Sequence, residues 1–237
     1  MPGDALLARR RVEFLFVLIF MFYSYTEICY QGARKRKIVS MHHLVVALFA
    51  TKDASYSSML GPYLAKANAL LKPFAMEVEI YPTNPLAPDA GKPRVLAYTG
   101  AVFDSAGDPG TVRSQCHTAV PNGRGIPVVF CKRNTDTATA GGTEYGSTIL
   151  KTNTEANGGV QWLPYILINT QEKSESDEVL LHEMIHAAHG KTVAHDADKT
   201  SAFYDYGSTT TKGEKNRKLP ANHADILRKA YFAAVVP

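Results

Sequence analysis

One stretch of the chain decides the fold: Val179-Leu180-Leu181-His182-Glu183-Met184-Ile185-His186-Ala187-Ala188-His189-Gly190. Apart from its histidines and one glutamate it is apolar, which predicts a buried helix. His182 and His186 are four residues apart, so both lie on one face of that helix, one turn apart. Two imidazoles so placed can reach one zinc ion at about 2.0–2.1 Å. Glu183 points to the side, where it can take a proton from metal-bound water.

The buried position of these polar residues favours a site over a purely structural role. Two histidines and a glutamate are costly in an apolar helix unless they have partners or a task. The alternative is a core helix whose histidines are hydrogen-bonded and bind no metal. The pattern H-E-x-x-H therefore predicts a zinc site with His182 and His186 as ligands.

A catalytic zinc ion needs a third protein ligand and a fourth position left for water. Gly190 can end the helix in a left-handed conformation and turn the chain back. His195 lies five residues beyond this turn and is the preferred third ligand, with Asp196 and Asp198 as the alternatives. His189, on the same helix, is expected beside the metal site or on the surface.

The segment from His182 to Phe232 resembles the metzincin group of zinc peptidases. These have an H-E-x-x-H-x-x-G-x-x-H helix and turn, a methionine turn that often reads S-x-M-x-Y-G, and a closing helix. Here His195-Asp196 resembles the third ligand and the aspartate that often follows it. The stretch Ser201 to Ser208 (SAFYDYGS) resembles the turn, and Asn222 to Phe232 resembles the closing helix.

The segment departs from the metzincin pattern at four points. Gly190 comes one residue late, and His195 comes three residues later than the family spacing. Phe203 stands where methionine is expected, and one extra residue precedes Tyr206-Gly207. Zincins with an aspartate as third ligand and effector-type zincins with an H-E-x-x-H-A-x-H helix are also similar. The resemblance is thus to a divergent metzincin-like zincin.

The residues before the helix predict a sheet with a helix behind it. A βαβ unit with two parallel strands is predicted over His43 to Phe49, Tyr56 to Leu71 and Met76 to Tyr81. Further strands are predicted at Arg94 to Tyr98, Ile126 to Cys131, Ser147 to Lys151 and Leu163 to Asn169. The predicted fold class is α/β of the α+β zincin-like type. It has a mixed, mostly parallel twisted sheet, a long backing helix, the H-E-x-x-H helix and an irregular C-terminal part ending in a helix.

Composition and charge bound the function classes. With 237 residues, 45% hydrophobic and 20% charged, the chain is neither disordered nor disulfide-dense. The formal charge of +4 lies entirely in residues 1–37, because the remaining residues hold 19 basic and 19 acidic side chains. No basic groove for nucleic acid is therefore expected in the predicted catalytic domain, residues 38–237.

Residues 1–37 differ in kind from the rest. Three arginines precede an uncharged, mostly apolar run from Phe14 to Thr26, which is too short to cross a membrane as a helix. This predicts an export signal, or a membrane anchor through residues 12–30, and a secreted or membrane-anchored extracellular protein. The alternatives are a buried helix or a true start at Met41. Cys116 and Cys131 form either a disulfide or two buried thiols.

The function predicted from the sequence is that of a zinc-dependent endopeptidase acting on a peptide or protein substrate. Glu183 is its general base, and Tyr206 or Tyr204 is the candidate that stabilises the oxyanion. The strand Ser147 to Lys151, if it lies at the sheet edge, would hold the substrate as an added strand. The alternative is a non-catalytic exported or anchored metal-binding or interaction module, whose H-E-x-x-H helix holds a structural metal or none. A closed structural site would need a fourth ligand such as Asp198 or Asp205.

Overall fold

The computed structural model describes residues 40–81, 91–102, 110–120, 125–133, 145–150, 163–171, 177–204 and 217–236. The chain divides into two compact units, Met1–Val39 and Ser40–Pro237, and the described residues all belong to the second. The predicted signal or anchor, residues 1–37, lies outside the described residues. Among the described helices, none is long and apolar enough to cross a membrane.

Eight strands and four α-helices lie in the described residues. The strands are β1 (Met41–Ala50), β2 (Met76–Tyr81), β3 (Arg94–Val95), β4 (Ala101–Val102), β5 (Ile126–Arg133), β6 (Gly146–Ile149), β7 (Tyr165–Asn169) and β8 (Ala233–Val236). The helices are α1 (Ser57–Leu71), α2 (Gly110–Ala119), α3 (Val179–His189) and α4 (Ala221–Arg228).

The sheet is mixed and mostly parallel, as the sequence predicts. Its main order is β2-β1-β5-β7-β6, in which β1 pairs in parallel with β2 and with β5, and β5 pairs in parallel with β7. Strand β6 is antiparallel to β7 and stands at the end of this order. Strand β8 runs antiparallel to the first residues of β1. Two short strands add to the sheet: β3 pairs in parallel with the last residues of β1, and β4 pairs in parallel with the last residues of β5.

Both faces of the sheet are covered, which explains why its central strands are apolar runs. Along β1, Leu44, Val46 and Leu48 face a core that also contains the buried sides of α1, α3 and α4. The alternate residues Ala47 and Phe49 face a second core, to which α2 contributes. The H-E-x-x-H helix α3 therefore belongs to the larger core and is buried along most of its length, as predicted.

The C-terminal helix is shorter than the sequence predicts. The expected helix from Asn222 to Phe232 ends at Arg228, and the chain then forms β8. The main-chain carbonyl of Phe232 accepts a hydrogen bond of 2.8 Å from the N–H of Val45, which places this segment beside β1. On this side of β1 the pairing with β5 begins only at Val46, so β8 supplies the main-chain partner of the first residues of β1.

The middle of the chain differs from the sequence prediction in one strand and one helix. Of the predicted strand Arg94 to Tyr98, only Arg94–Val95 forms a regular strand. Helix α2 was not predicted, because its ten residues are mostly polar and only Val112 and Cys116 are buried. Cys116 and Cys131 are buried and are present as thiols rather than as a disulfide.

Candidate metal centre

Helix α3 supplies two of the three imidazoles of the site. His182 and His186 lie one turn apart, and their Nε2 atoms are 3.2 Å from each other. The helix ends at Gly190, whose φ of 64° is the left-handed conformation expected from the sequence. The N–H of Gly190 bonds to the carbonyls of His186 and Ala187, which closes the last turn and sends the chain back.

His195 completes a triangle of ring nitrogens. Its Nε2 lies 3.2 Å from Nε2 of His182 and 3.0 Å from Nε2 of His186. Two ligand atoms on a tetrahedral zinc ion with bonds of 2.0–2.1 Å are about 3.3 Å apart. The three histidines therefore fit one tetrahedral cation, and they are the only such group of His, Cys, Asp or Glu side chains among the described residues.

The protonation of His182 suits a ligand. Its Nδ1 lies 3.2 Å from the carbonyl oxygen of Ala202. Donation from Nδ1–H to this carbonyl leaves the Nε2 lone pair directed at the centre of the triangle. Burial lowers the pKa of His182 well below its usual value, and repulsion from a proton on His186 or His195 lowers it further. The neutral imidazole that metal binding requires is thus the favoured form.

The loop that carries His195 is fixed by the residue that follows it. The N–H of Asp196 donates to the carbonyl of Phe203 at 3.0 Å, and its carboxylate accepts from the hydroxyl of Ser201 at 2.5 Å. His223 Nε2, on α4, lies 3.1 Å from the same carboxylate. These contacts explain why Asp196, which the sequence also offered as third ligand, lies outside the group of three histidines.

Asp198, the remaining candidate for the third ligand, lies at the surface. Its carboxylate accepts hydrogen bonds of 2.9 Å from the N–H and the hydroxyl of Thr200.

His189 lies beside the site, with its Nε2 3.4 Å from Nδ1 of His223. No fourth ligating side chain joins the three histidines in the described part of the chain, so no observation there supports a closed structural site. Asp205 lies outside the described residues.

Phe203 packs against the rings of all three histidines. It is wholly buried, and its ring centroid lies 5.2, 4.7 and 5.2 Å from those of His182, His186 and His195. The metzincin resemblance places a methionine at this position. A flat aromatic ring fills the space below three imidazoles and limits their rotation by contact.

Glu183 is a residue of α3, and its side chain is directed at the edge strand β6. Only 6% of its surface is exposed, and its carboxylate Oε2 accepts a hydrogen bond of 2.7 Å from the hydroxyl of Thr148. The residue follows the ligand His182 directly, as H-E-x-x-H requires. A buried carboxylate on the residue next to a candidate zinc ligand is what the H-E-x-x-H pattern expects of a base acting on a water molecule.

A buried ion pair fixes the start of α3. The sequence predicts that Ser174 to Glu178 open this helix, with a serine cap and acidic side chains at the positive end of its dipole. The helix instead begins at Val179, the side chain of Glu178 makes no capping bond, and 172–176 lie outside the described residues. Glu178 is fully buried and pairs with Lys66 Nζ at 3.1 Å and Arg217 Nε at 3.6 Å. Its carboxylate therefore forms ion pairs with two cations instead of capping the helix.

Of the two tyrosines proposed to stabilise the oxyanion, only Tyr204 lies in the described residues. Tyr206 lies outside the described residues, so its predicted role stays a prediction. Tyr204 is partly buried, and the guanidinium carbon of Arg217 lies 5.7 Å from its ring centroid. Sequence reasoning did not identify Thr148 or His223 as part of the site, because no spacing links them to the H-E-x-x-H helix.

Comparison with solved structures gives structural likenesses, among them one to a metalloproteinase. No family model matches the sequence, and no curated protein matches it either. The crystal structure of metalloproteinase-II from Bacteroides fragilis is similar over 84% of this chain, with a TM-score of 0.47 and 12% sequence identity. The chain spans 58% of the length of that protein. A likeness of this size does not establish a family, so function is inferred from the residues of the site.

Proposed function

We propose that the protein is a zinc-dependent endopeptidase. The observation that carries this proposal is the triangle of Nε2 atoms, 3.0–3.2 Å apart, with the buried carboxylate of Glu183 next in sequence to one of its members. His182, His186 and His195 would hold the ion. Three protein ligands leave a fourth tetrahedral position for water or substrate, which is the arrangement of catalytic zinc sites.

In the proposed hydrolysis, Glu183 transfers protons and the three histidines hold the ion. A zinc ion supplies a Lewis acid and brings the pKa of a bound water toward about 7. Glu183 takes a proton from the attacking water and returns it to the nitrogen of the leaving amine. The three imidazoles would hold the ion through their Nε2 lone pairs, which requires the neutral form of each ring.

The edge strand β6 is the proposed binding surface for the substrate. It stands at the end of the sheet order and lies directly against α3. An extended peptide added in this place would form main-chain hydrogen bonds with β6 and pass beside the metal site. Tyr206, or Tyr204 in its place, is proposed to donate its hydroxyl to the developing oxyanion.

Replacement of Glu183 by Gln tests the proposal. The full chain, loaded with zinc, is expected to cleave casein or members of a peptide library. Glu183→Gln should lower kcat/KM by about 10²-fold or more, since it removes the proton acceptor, while the variant still binds one zinc ion. The matched control is Asp198→Asn, whose carboxylate contacts only Thr200 among the described residues and which should cleave like the unaltered chain.

Two results would contradict the endopeptidase. One is a zinc-loaded chain that cleaves no peptide in the library. The other is a Glu183→Gln variant that cleaves as fast as the unaltered chain, which would remove Glu183 from the reaction.

A further inference from the structure

Thr148 makes a contact that the proposed mechanism leaves unused. Its Oγ1 lies 2.7 Å from Oε2 of Glu183 and 2.8 Å from the main-chain oxygen of the same residue. A threonine hydroxyl has one proton to donate. Hydrogen bonds to an ionised carboxylate are about twice as strong as those to a neutral acceptor, so the proton is directed at Oε2 when Glu183 is charged.

Gly146 makes this contact possible. A Cβ atom at this position would lie 2.8 Å from Cγ1 of Val179 and 3.1 Å from Cγ of Glu183. Any side chain here would therefore push β6 away from α3. Residues 146 and 148 are two apart on one strand, so they face the same side of the sheet. The glycine lets the strand approach closely enough for the hydroxyl of Thr148 to reach Glu183.

The main-chain N–H and C=O of Thr148 face away from β7. The N–H of Asn169 donates to the carbonyl of Tyr145 at 2.9 Å, just before β6 begins. Antiparallel partners alternate between hydrogen-bonded and non-hydrogen-bonded pairs, so Ser147 and Ile149 bond to β7. The N–H and C=O of Thr148 then point away from β7. In the part of the chain that the structure describes, no strand occupies that side of β6.

We propose that Thr148 is a positioning residue that joins the peptide-binding edge to the general base. Its hydroxyl holds the carboxylate of Glu183 in one orientation, and its N–H and C=O bond to the extended substrate. The same residue thus sets the distance between the scissile peptide and the base. This inference rests on the proposed endopeptidase function and adds to it a residue 35 positions away from Glu183 in sequence.

The test compares two substitutions in the full-length, zinc-loaded chain. Thr148→Val keeps the branched shape and removes the hydroxyl, and Thr148→Ser keeps the hydroxyl. We expect Thr148→Val to lower kcat by about 10-fold or more with little change in KM, because the strand's main chain is intact. Thr148→Ser should restore most of the lost kcat. If Thr148→Val does not fold, Thr148→Ala replaces it as the variant without a hydroxyl.

A second readout needs no catalysis. The side-chain carboxyl carbon of Glu183 is observed by ¹³C NMR in the metal-free protein and assigned from its absence in Glu183→Gln. Its signal should move in Thr148→Val and stay in place in Thr148→Ser, since only the first substitution removes the donor at 2.7 Å.

The outcomes separate this inference from the function on which it rests. If the unaltered chain cleaves peptide and Thr148→Val matches it in kcat with an unmoved Glu183 signal, the positioning role is overturned and the endopeptidase stands. If the unaltered zinc-loaded chain cleaves nothing, the endopeptidase is overturned and the positioning role falls with it. A reduced kcat, a moved signal and rescue by serine support the inference.

Discussion

Asp198 and His195 are three residues apart, and only the histidine faces the other two imidazoles. Asp198 accepts its hydrogen bonds from Thr200 in its own turn. The sequence left both residues open as third ligand, because a loop has no fixed periodicity from which to read side-chain direction. The contact of Asp196 with Ser201 and His223 decides the direction of His195, and that contact joins residues up to 27 positions apart.

Alanine substitutions at these two positions should affect zinc binding differently. His195→Ala removes one of three ligands and should weaken zinc affinity by about 100-fold or more, because loss of a residue that only supports a ligand already costs 10- to 100-fold. Asp198→Ala should bind zinc like the unaltered chain. Competition with a chromophoric chelator measures both affinities.

The reverse pattern would show that the loop directs Asp198 at the ion. In that case His195→Ala would keep its zinc and Asp198→Ala would lose it.

At the scale of elements, the sequence predicts the strands that are apolar runs and the helix whose apolar residues recur with the helical period. The apolar runs of β1, β5 and β7 and the amphipathic helix α1 are all found near their predicted bounds. The first two strands are parallel, as the strand-helix-strand order requires. Helix α2 and strand β8 were missed because tertiary contacts define them. The first buries two side chains of a polar segment, and the second exists through pairing with β1.

The contact between β6 and α3 is the element pair most sensitive to a small change. Gly146→Ala adds a methyl group 2.8 Å from Val179 Cγ1, so the strand must move away from the helix. We expect a loss of about 1–3 kcal/mol in the free energy of unfolding and a lower kcat, since Glu183 loses its fixed neighbour. Urea unfolding and peptide cleavage measure the two effects.

Ser147→Ala is the matched control for stability. Its side chain points to the opposite face of β6, and the substitution should change the free energy of unfolding by no more than about 0.5 kcal/mol. Equal stability of Gly146→Ala and Ser147→Ala would contradict the close approach of β6 to α3.

At the scale of the whole molecule, the site combines segments that are distant in sequence. Helix α3, the loop after Gly190, strand β6 and helix α4 each contribute a side chain that contacts one of the three histidines, Phe203, Asp196 or Glu183. The sequence predicted the three histidines and Glu183 because they lie close together along the chain. The supporting residues depend on the assembled fold and have no local signal.

Stability of the metal-free protein should fall as the pH is lowered, in part through His117. Burial lowers the pKa of this residue to about 4 in the folded protein, with a further contribution from the charge of Arg113. In the unfolded chain its pKa returns to about 6.5. Below pH 6.5 the unfolded state therefore binds the proton more readily, and the folded state loses stability until the pH reaches about 4.

His117→Gln isolates this contribution. Urea unfolding with a chelator present, at pH 7 and at pH 4.5, should show a fall in stability that is smaller in the variant by about 2 kcal/mol. An identical fall in the two proteins would show that His117 is solvated when folded.

The coordination of the ion tests the central claim most directly. X-ray absorption at the zinc edge of the zinc-loaded full chain counts the ligand atoms and identifies imidazoles by their outer scattering. We predict three imidazole nitrogens at about 2.0–2.1 Å and one oxygen from water, which is an open catalytic site. Four protein ligands, or fewer than three imidazoles, would contradict the site formed by His182, His186 and His195.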